Sequence, residues 1–151
     1  MNIVLIEPEI HWNTGNIGRT CIATGATLHL VQPLGFSLED KAIRRSGLDY
    51  WPKLRLVVHA DLAAFFASLP KEAALKLFSV EGKKSFWDAR FGKDDYLLFG
   101  KESVGLPAAL REEYRSHLYR VPVTPDVRSL NLSTVAGVVL FEALRQTSPS
   151  S

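Results

Sequence analysis

The chain has 151 residues, of which 46% are hydrophobic and 23% are charged, and its formal net charge at pH 7 is +2. This length suits one domain with a buried core. The longest apolar run lies at residues 135–141 and is too short to span a bilayer. The small net charge argues against indiscriminate binding to phosphate. The single cysteine, Cys21, excludes an intramolecular disulfide, and the four histidines show no metal-ligand spacing, so we predict neither a metal site nor a membrane segment.

Apolar, β-rich runs alternate with helix-like stretches along the whole chain. Because the first strand follows Met1 with no basic segment or cleavage site, we predict a cytoplasmic protein. Strands are predicted at residues 3–6, 27–31, 54–58, 75–80, 96–99 and 118–121, and helices at residues 14–24, 38–46, 61–69, 107–115 and 132–146. This alternation predicts one α/β domain over residues 1–151, with a mostly parallel six-stranded sheet, helices on both faces and a disordered tail at about 147–151.

The first polar loop follows the first strand and contains Asn13-Thr14-Gly15-Asn16-Ile17-Gly18-Arg19. Its glycines permit a tight turn, and the N-terminus of the following helix offers free N–H groups to an anion such as phosphate. The glycine spacing is neither a Rossmann fingerprint nor a Walker motif. Arg19 is either a ligand of a phosphate or ribose oxygen or a surface ion-pair partner.

The second loop follows the fifth predicted strand and reads Phe99-Gly100-Lys101-Glu102-Ser103-Val104-Gly105-Leu106-Pro107. Gly100 would let a ligand approach the backbone, and the Glu102 carboxylate could accept hydrogen bonds from hydroxyls or amides. Pro107 suits the first position of the next helix. These two loops and a third, at residues 121–133, follow strands at the edge where open α/β sheets bind ligands.

The third loop, at residues 121–133, lies between the last strand and a very apolar helix. Pro122 and Pro125 fix its backbone and remove donors, which predicts that the chain leaves the sheet here and cannot re-enter a helix until after Pro125. Ser129, Asn131 and Ser133 then follow, and each could cap the helix or bind a ligand. We therefore predict a binding site in this loop.

The last predicted helix is apolar on more than one side. Its apolar residues are Leu132, Val135, Ala136, Val138, Val139, Leu140, Phe141, Ala143 and Leu144. A helix that is apolar on most sides must be buried on most sides, and Gly137 in its middle suggests that another backbone approaches closely. These features favour a homodimer over a central helix of a monomer.

Taken together, the three loops resemble the ordered motifs of the SPOUT superfamily of RNA ribose methyltransferases. The opening segment Asn2-Ile3-Val4-Leu5-Ile6-Glu7-Pro8-Glu9-Ile10 and the stretch Arg44-Arg45-Ser46-Gly47-Leu48-Asp49-Tyr50-Trp51 resemble its bacterial branch that acts on the tRNA wobble nucleotide. The resemblance implies S-adenosylmethionine as methyl donor, a C-terminal trefoil knot, a homodimer, and methylation of the 2′-hydroxyl of a wobble cytidine or uridine.

The resemblance also implies roles for individual residues. Four would act at the reacting ribose: Asn13, Arg19, Ser129 and Asn131. Eight would bind the donor: Ser79, Val80, Gly100, Glu102, Gly105, Val121, Leu130 and Ser133. Contacts to tRNA are expected from Lys41, Arg44, Arg45 and Arg128. The chain departs from the family pattern at residues 79–84, at His11-Trp12 where prolines are common, and at Phe141 where tyrosine is common.

Two alternatives remain open from the sequence. The same chemistry could act on another tRNA position or on ribosomal RNA, because the motifs specify the ribose and the donor better than they specify the RNA. A non-catalytic RNA-binding module could also retain the fold, although such a module would not need Arg19, Glu102 and Asn131 together.

Overall fold

The computed structural model describes residues 1–42 and 48–149, and their strands form one parallel sheet. The strands are β1 (Asn2–Ile6), β2 (Thr27–Val31), β3 (Leu56–His59), β4 (Leu75–Phe78), β5 (Lys84–Ser85), β6 (Tyr96–Phe99) and β7 (Leu118–Arg120). Their order across the sheet is β3-β2-β1-β6-β4-β7-β5, and every neighbouring pair is parallel. The α/β prediction is confirmed, but six strands is wrong, because β5 is a two-residue polar edge strand without an apolar run.

Helices cover both faces of the sheet. They are α1 (His11–Thr24), α2 (Leu62–Ser68), α3 (Ala108–Glu113) and α4 (Leu132–Thr147), with short 3-10 helices at Leu48–Lys53, Phe86–Asp88 and Arg115–His117. The predicted helix at 38–46 and the predicted tail both run into residues outside the described ranges, namely 43–47 and 150–151. No helix in the described part of the chain is long and apolar enough to cross a membrane.

Each face of the sheet has its own apolar core, because successive side chains of a strand point to opposite faces. Ile3 and Leu5 of β1 pack in the core that contains α1 and α4, whereas Val4 and Ile6 pack in the core that contains Phe65 of α2 and Leu110 of α3. Cys21 of α1 is fully buried in the first core, and burial raises the pKa of its thiol to about 12.

A pair of buried histidines lies on the second face. The amide group of Asn2 donates to the carbonyl of Asp94 and accepts at Oδ1 from Nε2 of His29, 3.1 Å away. Nδ1 of His29 therefore lacks a proton and accepts from Nε2 of His59 at 3.0 Å. Burial, reinforced by the neighbouring His59, lowers the pKa of His29 to about 4, and burial also lowers the pKa of His59.

We expect this pair to make the fold sensitive to acid. The folded-state pKa of His29 lies below the unfolded value of about 6.5, so the unfolded chain binds protons that the folded chain rejects. The contribution of His29 to the free energy of unfolding is therefore complete above about pH 6.5. It decreases by about 2–3 kcal/mol as the pH falls toward 4. Urea unfolding at several pH values should show this loss, a His29→Gln variant should reduce it, and the exposed control His117→Gln should retain it.

Candidate functional site

The sheet order places four loops side by side. Strands β1, β6, β4 and β7 are neighbours, so the segments that leave their carboxyl ends meet at one edge. The chain proceeds from β1 toward β2 in one direction, while β6 lies on the other side of β1. This is a topological switch point, where open α/β sheets form ligand-binding crevices.

The Glu102 carboxylate spans this switch point. One oxygen accepts from the backbone N–H of Glu9 at 2.7 Å, and the other accepts from the N–H of Ile10 at 3.2 Å and from the side-chain amide of Asn13 at 3.3 Å. The loop after β6 is thereby fixed to the loop after β1. Because both of its oxygens accept hydrogen bonds from the first loop, the Glu102 carboxylate holds the two loops together.

The third loop joins the same network through Asn131. Its side-chain amide donates to Oδ1 of Asn13 at 3.0 Å, and its own Oδ1 accepts from the backbone N–H groups of Ser133 and Thr134 at 2.9 and 3.3 Å. Asn131 is therefore the N-cap of α4 as well as a contact of Asn13, which is only 2% exposed. We call Glu102, Asn13 and Asn131 the polar relay.

Two further contacts join the first and second loops, and sequence reasoning missed them. Ser103 donates from its hydroxyl and its N–H to the Glu9 carboxylate, and Lys101 lies 3.6 Å from the carboxylate of Glu7. Glu7 has a φ of 53°, a left-handed conformation that non-glycine residues seldom adopt. Acidic residues at positions 7 and 9 were a visible signal, but nothing in the sequence identified their partners.

The second loop folds back tightly on itself at Gly100. Lys101 and Gly105 exchange backbone hydrogen bonds of 3.2 and 2.9 Å, and Gly105 has a φ of 76°. A Cβ atom added to Gly100 would overlap the carbonyl carbon of Gly105 and the nitrogen of Leu106. The backbone that approaches Gly100 is thus that of its own loop.

The predicted donor-binding residues follow three adjacent strands. Ser79 and Val80 follow β4, Gly100 follows β6, and Val121 follows β7, while the Ser79 N–H donates to the carbonyl of Tyr119 at 3.0 Å. Several apolar side chains of these loops and their continuations are exposed: Val80, Val104, Val123, Val127 and Leu130. This edge therefore presents exposed apolar side chains beside the carboxyl ends of three parallel strands, which is where α/β sheets bind small molecules.

The structure does not place all the predicted ribose-facing residues in the polar relay. Arg19 lies on the exposed side of α1, roughly 9 Å along the helix axis from Asn13. Ser129 and Arg128 are exposed in the third loop, and Lys41 is exposed near the end of the first described range, residues 1–42. Arg44 and Arg45 lie outside the described residues.

A concave region adjoins the first loop. Gly35 donates from its N–H to the carbonyl of Pro8 at 2.9 Å, which holds the segment after β2 against the segment after β1. This segment borders a cavity of about 620 Å³ lined by Gln32, Pro33, Leu34, Phe36, Ser37, Leu38, Glu39 and Ala60. No motif in the sequence indicated this cavity.

Known proteins resemble the chain over almost its whole length. Residues 1–141 match the SpoU rRNA Methylase family. The tRNA (cytidine(34)-2'-O)-methyltransferase of Burkholderia cenocepacia is 48% identical over 147 residues, covering 96% of this chain and 94% of that protein. The enzyme of the same name from Saccharophagus degradans is 47% identical over 146 residues, with 96% and 94% covered.

Solved structures show the same similarity. The structure described as "Structural insights into the 2-OH methylation of C/U34 on tRNA" has a TM-score of 0.92 and 46% sequence identity, covering 96% of this chain and 94% of that one. The AdoMet-bound rRNA methyltransferase from Sinorhizobium meliloti has a TM-score of 0.82 and 28% identity, covering 95% of this chain and 55% of that one.

Proposed function

The chain belongs to the SpoU rRNA Methylase family, and we propose that its polar relay organises the site where a methyl group is transferred to the ribose 2′-hydroxyl of the wobble nucleotide in tRNA. The protein is an S-adenosylmethionine-dependent tRNA methyltransferase. The observation that carries the site assignment is the hydrogen-bonded chain Glu102–Asn13–Asn131, which joins the three motif loops at the switch point of the sheet. We place the enzyme in the cytoplasm, as a single domain.

The edge formed by β6, β4 and β7 has the right chemistry for the donor. Exposed Val80 and Leu130 offer apolar contacts, while the tight turn closed by Lys101 and Gly105 holds the loop after β6 at the same edge. We assign Glu102 to holding the loop, and assign donor binding to Ser79, Val80, Gly100, Gly105, Val121, Leu130 and Ser133. When bound, S-adenosylmethionine supplies an electrophilic methyl group on a sulfonium.

We infer that the chain is threaded through a C-terminal trefoil knot around this edge. A close approach of two separate segments supports the inference, because a Cβ atom at Gly82 would lie 2.6 Å from the carbonyl carbon of Tyr119. Loops held this closely can enclose the segment that leads into α4, and the prolines of that segment stiffen it before a ligand arrives.

At the ribose, Arg19 is suited to stabilising negative charge. Its guanidinium stays protonated at ordinary pH, so it is a poor base but a strong hydrogen-bond donor to a developing alkoxide or to a neighbouring phosphate. Asn13 and Asn131 hold the loops in register through their mutual hydrogen bond, and exposed Ser129 is free to contact the ribose. In-line transfer requires this positioning.

Replacing Arg19 by alanine should lower kcat by about 100-fold or more, because an alkoxide-stabilising donor is lost. Donor affinity should stay near the wild-type value, since the assigned donor residues follow other strands. Single-turnover methylation and equilibrium binding of S-adenosylmethionine check the two parts separately. Arg115→Ala, at an arginine on the surface beyond α3, is the matched control and should change neither quantity. A parallel collapse of donor affinity in the Arg19 variant would refute the assignment.

We propose that α4 forms the homodimer interface. Val138 and Phe141 are 40% and 59% exposed on it, and a Cβ atom at Gly137 would meet nothing within 4 Å in the described part of the chain. The paired subunits would join Lys41, Arg44, Arg45 and Arg128 into one tRNA-binding surface, which compensates for the small net charge.

Gly137→Ala tests this interface, because the change should have opposite effects on the stability of a monomer and on that of a closely packed dimer. In a monomer the change should stabilise the helix by about 1 kcal/mol, whereas a tightly packed dimer should dissociate more readily. Sedimentation velocity across a concentration series measures the dissociation constant, and a stabilised variant with an unchanged constant would exclude close packing at Gly137.

The function itself is tested by mapping the product. The protein is incubated with unmodified tRNA and methyl-labelled donor, and ribose-methylated nucleotides are located. We expect label at the wobble nucleotide. Label at another tRNA position or in ribosomal RNA would show that the enzyme methylates that site instead. The absence of label from every RNA would favour a non-catalytic RNA-binding module.

A further inference from the structure

An exposed tryptophan lies at the rim of the polar relay. Trp12 is 53% exposed in the first turn of α1, although its neighbour Asn13 is only 2% exposed. The imidazole of His11 packs edge-on against the indole, with ring centroids 5.0 Å apart and an interplanar angle of 82°. The indole is thus supported on one side while much of its surface faces solvent, immediately beside a residue of the site.

Trp12 shares a helix face with Arg19. Trp12, Asn16 and Arg19 are all exposed and are spaced four and three residues apart, which aligns them along one side of α1. The opposite side is closed, since a Cβ atom at Gly18 would lie 2.9 Å from the ring of Trp51. The exposed stripe presents an aromatic ring, an amide and a guanidinium over roughly 10 Å, a length that one to two nucleotides of a loop can cover.

We propose that Trp12 is a stacking platform for a nucleobase of the tRNA anticodon loop, next to the nucleotide whose ribose is methylated. The proposal rests on the function assigned above. Loop nucleotides expose base faces that aromatic side chains bind by stacking, and this contact does not require a large positive charge. A chain with a net charge of only +2 gains loop affinity in this way.

The first experiment compares Trp12→Ala and Trp12→Phe with the wild-type enzyme on unmodified tRNA. Trp12→Ala should raise the dissociation constant and the KM for tRNA about tenfold, Trp12→Phe should restore most of the affinity, and the KM for S-adenosylmethionine should not change. The matched control is Trp87→Ala, because Trp87 is 63% exposed but follows β5, four strand positions from β1. Its tRNA affinity should equal that of the wild type.

The second experiment detects the stack directly. Addition of tRNA should quench tryptophan emission in the wild type and quench it less in Trp12→Phe, and an abasic nucleotide beside the wobble position should remove the difference. This arm decides the question even where Trp12→Ala fails to fold. Equal quenching in both proteins would overturn the proposal, and so would unchanged tRNA binding by Trp12→Ala. The proposal would also fail if sedimentation showed that Trp12→Ala dimerises more weakly and that this accounts for its lost tRNA binding.

Two results distinguish a wrong role for Trp12 from a wrong function for the enzyme. A wild-type enzyme that labels the wobble ribose while Trp12→Ala binds tRNA normally refutes only the stacking platform. A wild-type enzyme that labels no wobble ribose refutes the function on which the platform depends.

Discussion

Gly100→Ala should abolish donor binding and destabilise the fold by about 3 kcal/mol or more. The added methyl group has no space, because it would overlap the backbone of Gly105 and Leu106, which cannot move aside as the end of a flexible side chain could. The loop must open to relieve the overlap, and opening it displaces Gly100 and Gly105, which are assigned to the donor site. Urea unfolding and calorimetric titration with S-adenosylmethionine measure the two losses.

A change of similar size elsewhere in the same loop provides the control. Val104 is 64% exposed, so Val104→Ala should leave stability within about 0.5 kcal/mol of the wild type. A Gly100→Ala protein with wild-type stability would show that the loop adopts another conformation in solution.

Glu102→Ala should lower kcat by about 100-fold and stability by about 3 kcal/mol. Removal of the carboxylate leaves the N–H groups of Glu9 and Ile10 and the amide of Asn13 without their acceptor, so the first loop loses its register against the second. Glu102→Gln should recover only part of this, since its NH2 group would face a backbone N–H that needs an acceptor. Single-turnover methylation and urea unfolding report the two effects.

Additivity distinguishes a connected relay from separate contacts. The double variant Glu102→Ala with Asn131→Ala should lose less activity than the two single losses combined, because both act through Asn13. Glu113→Ala, at an exposed glutamate of α3, is the control and should be silent. Fully additive losses in the double variant would contradict the relay.

The fold was predictable where local pattern determines structure. The strands at Thr27–Val31 and Tyr96–Phe99 have the predicted bounds, and Asp61, at the predicted start of the helix at 61–69, caps α2 by accepting from the N–H of Ala64 at 2.7 Å. Periodicity could not reveal β5, which has two residues and lies at the edge of the described sheet beside β7. It also placed the start of α1 three residues late, because His11 starts the helix without a side-chain cap.

The sequence singled out Asn13, Glu102 and Asn131, and the structure joins them by hydrogen bonds. The assignment of Glu102 to the donor did not foresee that its oxygens accept from the first loop. Such pairings join residues about ninety positions apart, and local sequence contains no information on them. The exposed position of Arg19, away from the relay, depends on helix orientation and was likewise invisible in the sequence.

The polar relay also has a consequence for the timing of synthesis. Asn13 and Asn131 are separated by 118 positions, so a ribosome adding about 5–20 residues per second makes the second residue roughly 6–24 seconds after the first. During that interval the emerging chain has the first loop and then Glu102, but it lacks the residue that caps α4. The nascent chain therefore cannot form the polar relay before residue 131 has been made, and we expect shorter chains to be catalytically inactive.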